Sequence, residues 1–415
     1  MEEPSPSPSR VAAEPADLLS SLPAALLEEI LRRLALRDAV RTSALSRAWR
    51  RRWETVPGLA LCFPEGTPPG AVDRVLLLYY TAPRVSRFAF HHLDAGSASH
   101  IDHWLLALSR RNVQSISFRW RALSSLTGFR IHSSIFSCAH LVSLELNWCH
   151  VPPTPLPVGF AGFPVLEELY LRSVDFFFDR GEKQLQAIVL GSPLLRVLCL
   201  EDVVSHVDCL IEAPNLHSLT LVADSDSDFR FGELPCLQSS SIRVRDCQED
   251  GHDFVRFLAG VAHVRELTLF SPASEVKIDT IPFIFYNLKS LELSTHFLDM
   301  NPVLLMFGLL RSSPNLEKLK IEMEEPGTVV KRGFLNAQWT DGMCPNLQIV
   351  EIISARQWLP ISFVKLILSK ASLLRTLSMD MCPRSQGDPL NELLKCRRAS
   401  AQAQVLFKAQ LKHML

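Results

Sequence analysis

The sequence predicts an α/β fold: a short module of three helices followed by a long solenoid of parallel strands. Three observations predict it. Apolar residues at helical spacing dominate residues 18–58. From residue 59 onward the pattern L-x-x-L-x-L returns many times. A proline stands shortly before many of these units. We expect a curved parallel sheet whose convex side is irregular or helical.

Residues 1–17 are rich in proline, serine, alanine and glutamate. Such a segment buries too little apolar surface to offset the entropy of ordering it, so we expect disorder there. The whole chain is 47% hydrophobic and 21% charged, which indicates that the rest buries a large core. Its ten cysteines show no C-x-x-C spacing, and we find neither a secretory signal nor a membrane-spanning run. We therefore expect an intracellular protein, in the nucleus, the cytoplasm or both.

The first helix is indicated by apolar residues four apart. They are Leu22, Leu26, Ile30 and Leu34. Pro23 falls in the first turn, where a helix tolerates proline. Asp38 is placed to cap a second short helix, and Ser46 a third in which Trp49 and Trp53 lie four apart. About forty residues bury too little surface alone, so this module is expected to complete its core against another surface.

The module resembles the F-box of plant F-box proteins at matching spacings. The matching residues are Leu22-Pro23, Leu27, Ile30, Leu34, Asp38-Ala39-Val40, Ser43, Leu45-Ser46, Trp49 and Trp53. Ala24 and Ala25 depart from the family, which often has acidic residues there. The resemblance implies that the segment docks a Skp-type adaptor of an SCF-type cullin-RING ubiquitin ligase. The adaptor-binding residues that it implies are Leu22, Pro23, Leu27, Ile30, Leu34, Val40, Ser43, Leu45, Ser46, Trp49 and Trp53. We expect at least one tryptophan to contribute to this contact.

The repeated unit occurs twelve times, with anchors 21 to 31 residues apart, the spacing of leucine-rich repeats. The strong copies begin at Leu141, Leu166, Leu195, Leu216, Val264, Leu288, Leu316, Leu347 and Leu374, and the weaker ones at Val85, Val113 and Leu237. Each L-x-L puts two apolar side chains on one face of a strand. Neighbouring repeats then bury one another, while the other side chains face solvent on the concave side. An alternating stretch, Leu59 to Phe63, predicts a first strand directly after the helices.

The C-terminal part resembles the FBD domain that ends many F-box leucine-rich proteins. The resemblance is carried by Cys344-Pro345-Asn346-Leu347, Val350-Glu351-Ile352, Phe363 to Leu368, Leu373-Leu374, Leu377 and Arg398-Ala399-Ser400. Four regions are therefore predicted. They are a disordered segment 1–17, an F-box 18–58, a leucine-rich-repeat solenoid 59–342, and FBD-like repeats with a cap 343–415.

Catalytic and metal-binding patterns are weak. The motifs of phosphate-binding loops, zinc proteases and hydrolase nucleophiles do not occur. His91, His92, His100 and His103 could ligate a metal, but no cysteine or carboxylate is arranged beside them in a zinc pattern. We expect no catalytic residue, no metal and no cofactor. Arg50-Arg51-Arg52 is interpreted as the charged outer face of the third helix, with attraction to an acidic adaptor, a nuclear signal or phosphate binding as alternatives.

The resemblance implies a non-catalytic subunit that recruits a protein target for ubiquitination. Outward strand positions are the candidate target-binding residues: Tyr170, Arg172, Glu201, His217, Arg265 and Lys318. A scaffold or binding module unconnected to a ligase is the main alternative. A helix-turn-helix nucleic-acid binder is a third possibility, although the leucine stripe and two tryptophans leave few side chains for base edges. We expect neither nucleic acid nor a membrane as a partner.

Overall fold

A computed structural model describes most of the chain beyond the N-terminal segment. The described residues are 22–94, 96–120, 128–151, 156–176, 181–204, 209–224, 229–245, 247, 251–271, 276–278, 280–295, 300–323, 332–340, 342–354, 361–381, 393 and 395–409. The expected disordered segment 1–17 lies outside them.

Helices and strands alternate along most of the chain. The helices are α1 Ala24–Arg33, α2 Leu36–Arg41, α3 Pro69–Asp73, α4 Ala98–Ser109, α5 Gly181–Leu190, α6 His252–Gly260, α7 Met300–Arg311, α8 Arg332–Gln338 and α9 Ile361–Lys370. The strands are β1 Leu59–Phe63, β2 Val85–Leu93, β3 Ser115–Trp120, β4 Phe129–Arg130, β5 Ser143–His150, β6 Glu168–Asp175, β7 Val197–Glu201, β8 Cys209–Ile211, β9 Ser218–Asp224, β10 Phe229–Phe231, β11 Ser239–Arg245, β12 Glu266–Phe270, β13 Ser290–Thr295, β14 Lys318–Met323, β15 Ile349–Ser354, β16 Thr376–Met381 and β17 Gln404–Ala409.

One parallel sheet organises the described residues and confirms the predicted solenoid. Its strands follow in the order β1-β2-β3-β5-β6-β7-β9-β11-β12-β13-β14-β15-β16-β17, with β4 added beside β5. A separate two-stranded parallel sheet joins β8 to β10. Each predicted repeat supplies one strand of the main sheet. Helices such as α5 and α7 connect strands at stretches of helical composition.

The leucines of the repeat stack in register. Leu144 pairs with Leu169, Leu169 with Leu198, and Leu198 with Leu219 on successive strands. All four are buried. Because the side chains of a strand alternate between faces, this register sends every leucine of the pattern to the core. The residues between the leucines form the opposite face, which we call the open face.

Asparagines after the prolines connect neighbouring repeats. The side-chain amide of Asn215 donates to the carbonyl of Pro193 at 2.8 Å, and that of Asn315 donates to the carbonyl of Tyr286 at 2.9 Å. Each bond reaches the corresponding turn of the preceding repeat. The Pro-Asn-Leu sequence therefore marks a turn that satisfies a backbone carbonyl as well as the start of a strand.

The helical module differs from expectation in its last part. A third α-helix was predicted after Ser46, but the structure has turns there and a short 3₁₀ helix, Arg52–Thr55. The Ser46 hydroxyl, expected to cap that helix, has no hydrogen-bond partner among the described residues. Without a side-chain cap, the first N–H groups of such a helix lose a stabilising acceptor.

A buried tyrosine joins the module to the first repeats. The hydroxyl of Tyr80 lies 2.8 Å from the carbonyl oxygen of Val56 and 2.7 Å from that of Arg84, and it accepts a hydrogen bond from the N–H of Leu59 at 3.3 Å. Burial raises the pKa of Tyr80 to about 12, so the hydroxyl remains a donor at neutral pH. These contacts bind the end of the module to β1 and to the turn before β2, without a flexible linker.

Among the helices that the structure describes, none has the length and apolar character needed to cross a bilayer.

Candidate functional site

Helix α1 has two apolar faces. Leu27 and Leu31 are buried against the chain. Leu26 and Ile30, also one turn apart, are 51% and 39% exposed. The stripe that indicated this helix in the sequence is therefore turned largely to solvent, while the neighbouring stripe forms the core contact. Solvent-facing apolar residues on one helical face are typical of a surface that meets another protein.

The predicted adaptor-binding residues separate into three groups by burial. Pro23, Ile30, Val40 and Leu45 are exposed. Leu22, Leu34, Ser43 and Ser46 are half-buried. Leu27, Trp49 and Trp53 are buried. Leu26 was missing from the prediction, although its position four residues before Ile30 on the same stripe was a usable signal. The exposed residues lie on α1, on α2 and in the turn that follows.

Both tryptophans belong to the chain's own core. Trp49 and Trp53 are 3% and 5% exposed and belong to the hydrophobic core that continues from the module through the repeats. This corrects the expectation that one of them is available to an adaptor. The physical reason is that β1 is the first strand of the sheet and would otherwise be an uncovered edge, and helices α1 and α2 of the module pack against it, so that the module and the first repeats share one core.

The arginine triplet contacts the module itself. The guanidinium of Arg52 lies 5.5 Å from the ring centre of Trp49, and Arg51 donates to the carboxylate of Glu54 at 3.0 Å. Arg50 is exposed. One arginine therefore covers a tryptophan ring and another forms an ion pair on the outside of the module, which favours the interpretation of a charged outer face.

A second group of functional side chains lies on the open face, around Glu145. This glutamate is 8% exposed. Its Oε2 accepts a hydrogen bond from the hydroxyl of Ser117 at 2.7 Å. Its Oε1 accepts from Nε of Arg119 at 2.9 Å and from Nη1 of Arg172 at 3.0 Å. Arg172 also donates from Nε to Glu201 at 3.1 Å. A buried carboxylate thus orients two arginines on neighbouring strands.

The charge of Glu145 is stabilised by these partners. Burial alone would raise the pKa of Glu145, but the hydrogen bonds from Ser117 and Arg119 and the charges of Arg119 and Arg172 outweigh it and lower the pKa. The glutamate is therefore ionised at neutral pH, and its negative charge is compensated within the folded chain.

Glu145→Gln is expected to lower the free energy of unfolding by about 1.5–3 kcal/mol at neutral pH, because hydrogen bonds to a charged group are lost. The folded-state pKa lies below the ordinary value of 4.5, so the charged form stabilises the fold above pH 4.5. This stabilisation disappears as the pH falls through the lowered pKa. Urea unfolding of both proteins over a pH series measures the difference, which should shrink in acid.

Glu317→Gln is the control for that experiment, because it breaks only the exposed ion pair with Lys289 and should change stability little. A stability difference between the native chain and Glu145→Gln that is independent of pH would contradict the assigned role of Glu145.

The structure brings together three of the six predicted target-binding residues. Tyr170 and Arg172 lie on β6 and Glu201 on β7, and the guanidinium of Arg172 lies 5.6 Å from the ring centre of Tyr170. The other three residues lie apart. His217 is half-buried and its Nδ1 is 2.6 Å from the carbonyl oxygen of Asn215, Arg265 is exposed before β12, and Lys318 of β14 pairs with Glu351 at 3.4 Å. Six ladder steps, about 29 Å, separate β6 from β14.

Sequence reasoning missed Arg87, Ser117, Arg119 and Glu145 of this face. Each stands at an outward position of its strand, and Glu145 lies directly between two leucines of the repeat. The alternation within L-x-L was a usable signal for the face on which they lie. Their convergence depends on the register, in which Ser117 pairs with Glu145 and Glu145 with Tyr170.

Two of the four histidines considered as metal ligands contact other groups. His100 Nδ1 lies 2.7 Å from a carboxylate oxygen of Asp73, and His91 Nε2 lies 2.9 Å from the hydroxyl of Ser117. Within the described residues, no group of three histidine, cysteine or carboxylate side chains is placed to hold a metal ion.

Comparison with known proteins agrees with both parts of the chain. A family model described as "FBD-associated F-box protein At5g56370, LRR repeats" matches residues 101–321, and an F-box domain model matches residues 19–59. F-box/FBD/LRR-repeat protein At1g13570 of Arabidopsis thaliana is 29% identical over 95% of this chain and 99% of its own length. FBD-associated F-box protein At5g56370 of the same plant is 25% identical over 82% of this chain and 83% of its own. The repeat model spans more than half of the sequence, and the chain therefore belongs to the family of F-box/FBD/LRR-repeat proteins.

Proposed function

We propose that this chain is a non-catalytic subunit that docks a Skp-type adaptor of a cullin-RING ubiquitin ligase and holds a protein target for ubiquitination. An adaptor role in general follows from family membership. The finer proposal is supported by one observation above all, the exposed apolar residues of the F-box. Leu26, Ile30, Val40 and Leu45 face solvent on consecutive elements of a module whose buried residues belong to the core that it shares with the repeats.

The proposed docking surface has the composition of an interface. Aliphatic side chains dominate it, while the ion pairs of α1 stand beside them, between Arg32 or Arg33 and the glutamates one turn before. Exposed ion pairs of this kind contribute little to stability, but they can steer a charged partner. The apolar residues would supply the affinity when the adaptor removes them from water.

The mechanism that we propose is proximity. A target on the open face and a ubiquitin carrier attached through the adaptor would share one scaffold, which raises their effective concentration without a catalytic residue in this chain. The Tyr80 contacts support this proposal, because they hold the F-box against the first repeats and limit the range of orientations between the two bound proteins.

Co-purification of the full chain with a Skp-type adaptor tests the proposal. Ile30→Glu should weaken the complex by about 2 kcal/mol or more, roughly a thirtyfold loss of affinity, because it introduces a charge into the apolar contact. Since Ile30 is exposed, the substitution should leave the fold intact. Leu78→Glu is the matched control, because Leu78 is an exposed leucine outside the F-box.

Equal adaptor binding by the native chain and Ile30→Glu would contradict the docking surface. Absence of adaptor binding by the native chain would favour the alternative of a leucine-rich-repeat scaffold without a ligase. One observation is compatible with that alternative, namely that the F-box residues share a core with β1 and so also cap the solenoid.

A further inference from the structure

The open face has a depression between β2 and β6, with a volume of about 260 Å³. Its floor is made by three small side chains, Ser115, Ser117 and Ser143, on the two central strands β3 and β5. The flanking strands carry larger groups, Arg87 on β2 and Tyr170 on β6. Small residues between large ones thus create a concavity in a sheet face that would otherwise be level.

Hydrogen-bond donors outnumber free acceptors in this depression. Both oxygens of Glu145 are occupied, one by Ser117 and the other by Arg119 and Arg172. Arg119 uses Nε and Nη2 on Glu145, and its Nη1 has no partner among the described residues. Because a guanidinium carries five N–H donors, an arginine held in this way can still bind an acceptor on a ligand.

Arg87 is the strongest candidate for a direct contact. It lines the depression, its side chain is exposed, and it forms no hydrogen bond or ion pair with any residue that the structure describes. The remaining carboxylate of the depression is that of Glu168, which accepts a hydrogen bond from Ser143 at 3.1 Å. Glu168 lies three strands away from Arg87, about 14 Å along the ladder, so an anion beside Arg87 is distant from it.

The charged side chains around the depression are also positive on balance. The charged residues that line it are three arginines, Arg87, Arg119 and Arg172, and two glutamates, Glu145 and Glu168, a net charge of +1, although the chain as a whole has a net charge of −1. A local excess of positive charge attracts acidic partners to this end of the solenoid, even when the molecule is close to neutral.

We propose that this depression binds a carboxylate side chain of an acidic segment of the protein target. Arg87 makes the ion pair with that carboxylate, and Arg119, oriented by Glu145 and four residues further along the neighbouring strand than the register partner of Arg87, donates to a second acceptor of the same segment. The inference rests on the proposed function in treating the open face as the target-binding surface. It adds the chemistry of the segment that is recognised and places it at the end of the solenoid next to the F-box.

The test uses the full chain and fluorescent peptides made only of glutamate or only of glutamine, with binding measured by fluorescence anisotropy. The native chain should bind the glutamate peptide more tightly than the glutamine peptide, and added salt should weaken the binding. Arg87→Ala should reduce affinity for the glutamate peptide about tenfold, because a charged hydrogen-bonded pair is lost. Arg87→Lys should keep part of the affinity, since lysine retains the charge and not the planar geometry.

Arg375→Ala is the matched control, because it removes an exposed arginine from the same solenoid, directly before β16 and eleven strands away from β2. It should bind the glutamate peptide as the native chain does. Equal affinity of Arg87→Ala and Arg375→Ala for the glutamate peptide, or no preference of the native chain for glutamate over glutamine, overturns the inference. Adaptor co-purification is measured on the same samples. If the native chain does not bind the adaptor, the ligase proposal is refuted. If it binds the adaptor but does not prefer the glutamate peptide, only the acidic-segment inference is refuted.

Discussion

Trp53→Ala is expected to lower the free energy of unfolding by about 3–5 kcal/mol, because it removes a large buried side chain and leaves a cavity. Trp53 is buried in the cluster that contains Trp49 and Leu59, at the junction of the F-box and the first strand. The loss should therefore destabilise the first repeats as well as the F-box. Native-state hydrogen exchange should show faster opening of β1 and β2.

Urea unfolding of the full chain measures this effect, with Tyr286→Ala as a control at an exposed aromatic residue. The control should change stability by less than about 0.5 kcal/mol. At a temperature where Trp53→Ala is still folded, its affinity for a Skp-type adaptor should stay close to that of the native chain, because the tryptophan is directed inward. A stable Trp53→Ala protein that has lost the adaptor would contradict this assignment and return Trp53 to the docking surface.

Leu219→Ala is expected to cost about 2–5 kcal/mol through lost burial and a cavity in the middle of the ladder. Leu219 is fully buried on β9, and its register neighbours are Leu198 of β7 and Ser240 of β11. Ser240 stands where the repeat normally has a leucine, and its buried hydroxyl has no partner among the described residues. Because a serine replaces a leucine beside Leu219, less apolar volume surrounds this position than surrounds the leucines of other repeats. Neighbouring side chains are therefore poorly placed to fill the cavity that the substitution leaves.

Thr220→Ala is the matched control, because it alters the next residue of the same strand on the open face. Each variant is unfolded in urea as the full chain. If the repeats form one continuous core, Leu219→Ala should shift the whole transition, whereas Thr220→Ala should hardly move it. Equal stability of the two variants would contradict the assignment of Leu219 to the core and Thr220 to the open face.

The repeat pattern was sufficient to predict most of the sheet. Even the weak copies at Val85, Val113 and Leu237 correspond to strands β2, β3 and β11. Strand β17 was not predicted from the pattern, because Val405 and Phe407 provide only two apolar positions and no complete L-x-x-L-x-L unit. Its place is determined by pairing with β16, an interaction between distant segments that a local pattern does not contain.

The helical module at the start of the chain shows the same limit of a local sequence pattern. Helical spacing correctly indicated α1, but it could not show which of two adjacent apolar stripes would be buried. Leu27 and Leu31 are buried in the core, whereas Leu26 and Ile30 are exposed to solvent. The choice depends on how the helix rests on β1, and so on residues that follow it in the chain.

What the sequence by itself determined is the set of properties with a local physical cause. The alternation of leucines determines which face of each strand is buried. The recurrence of the unit determines a solenoid, because no single repeat can bury its own apolar face. The F-box spacing sets the family expectation, which the comparisons with known proteins agree with.

Only the tertiary structure decided where separate strands bring their polar residues together. Glu145, Arg119 and Arg172 lie on three different repeats and have no shared motif, yet the parallel register places them within hydrogen-bonding distance. The same register keeps Lys318 far from them, although all occupy equivalent outward positions. Stacking order converts sequence separation into distance across the sheet, and it therefore determines which outward residues act as one site.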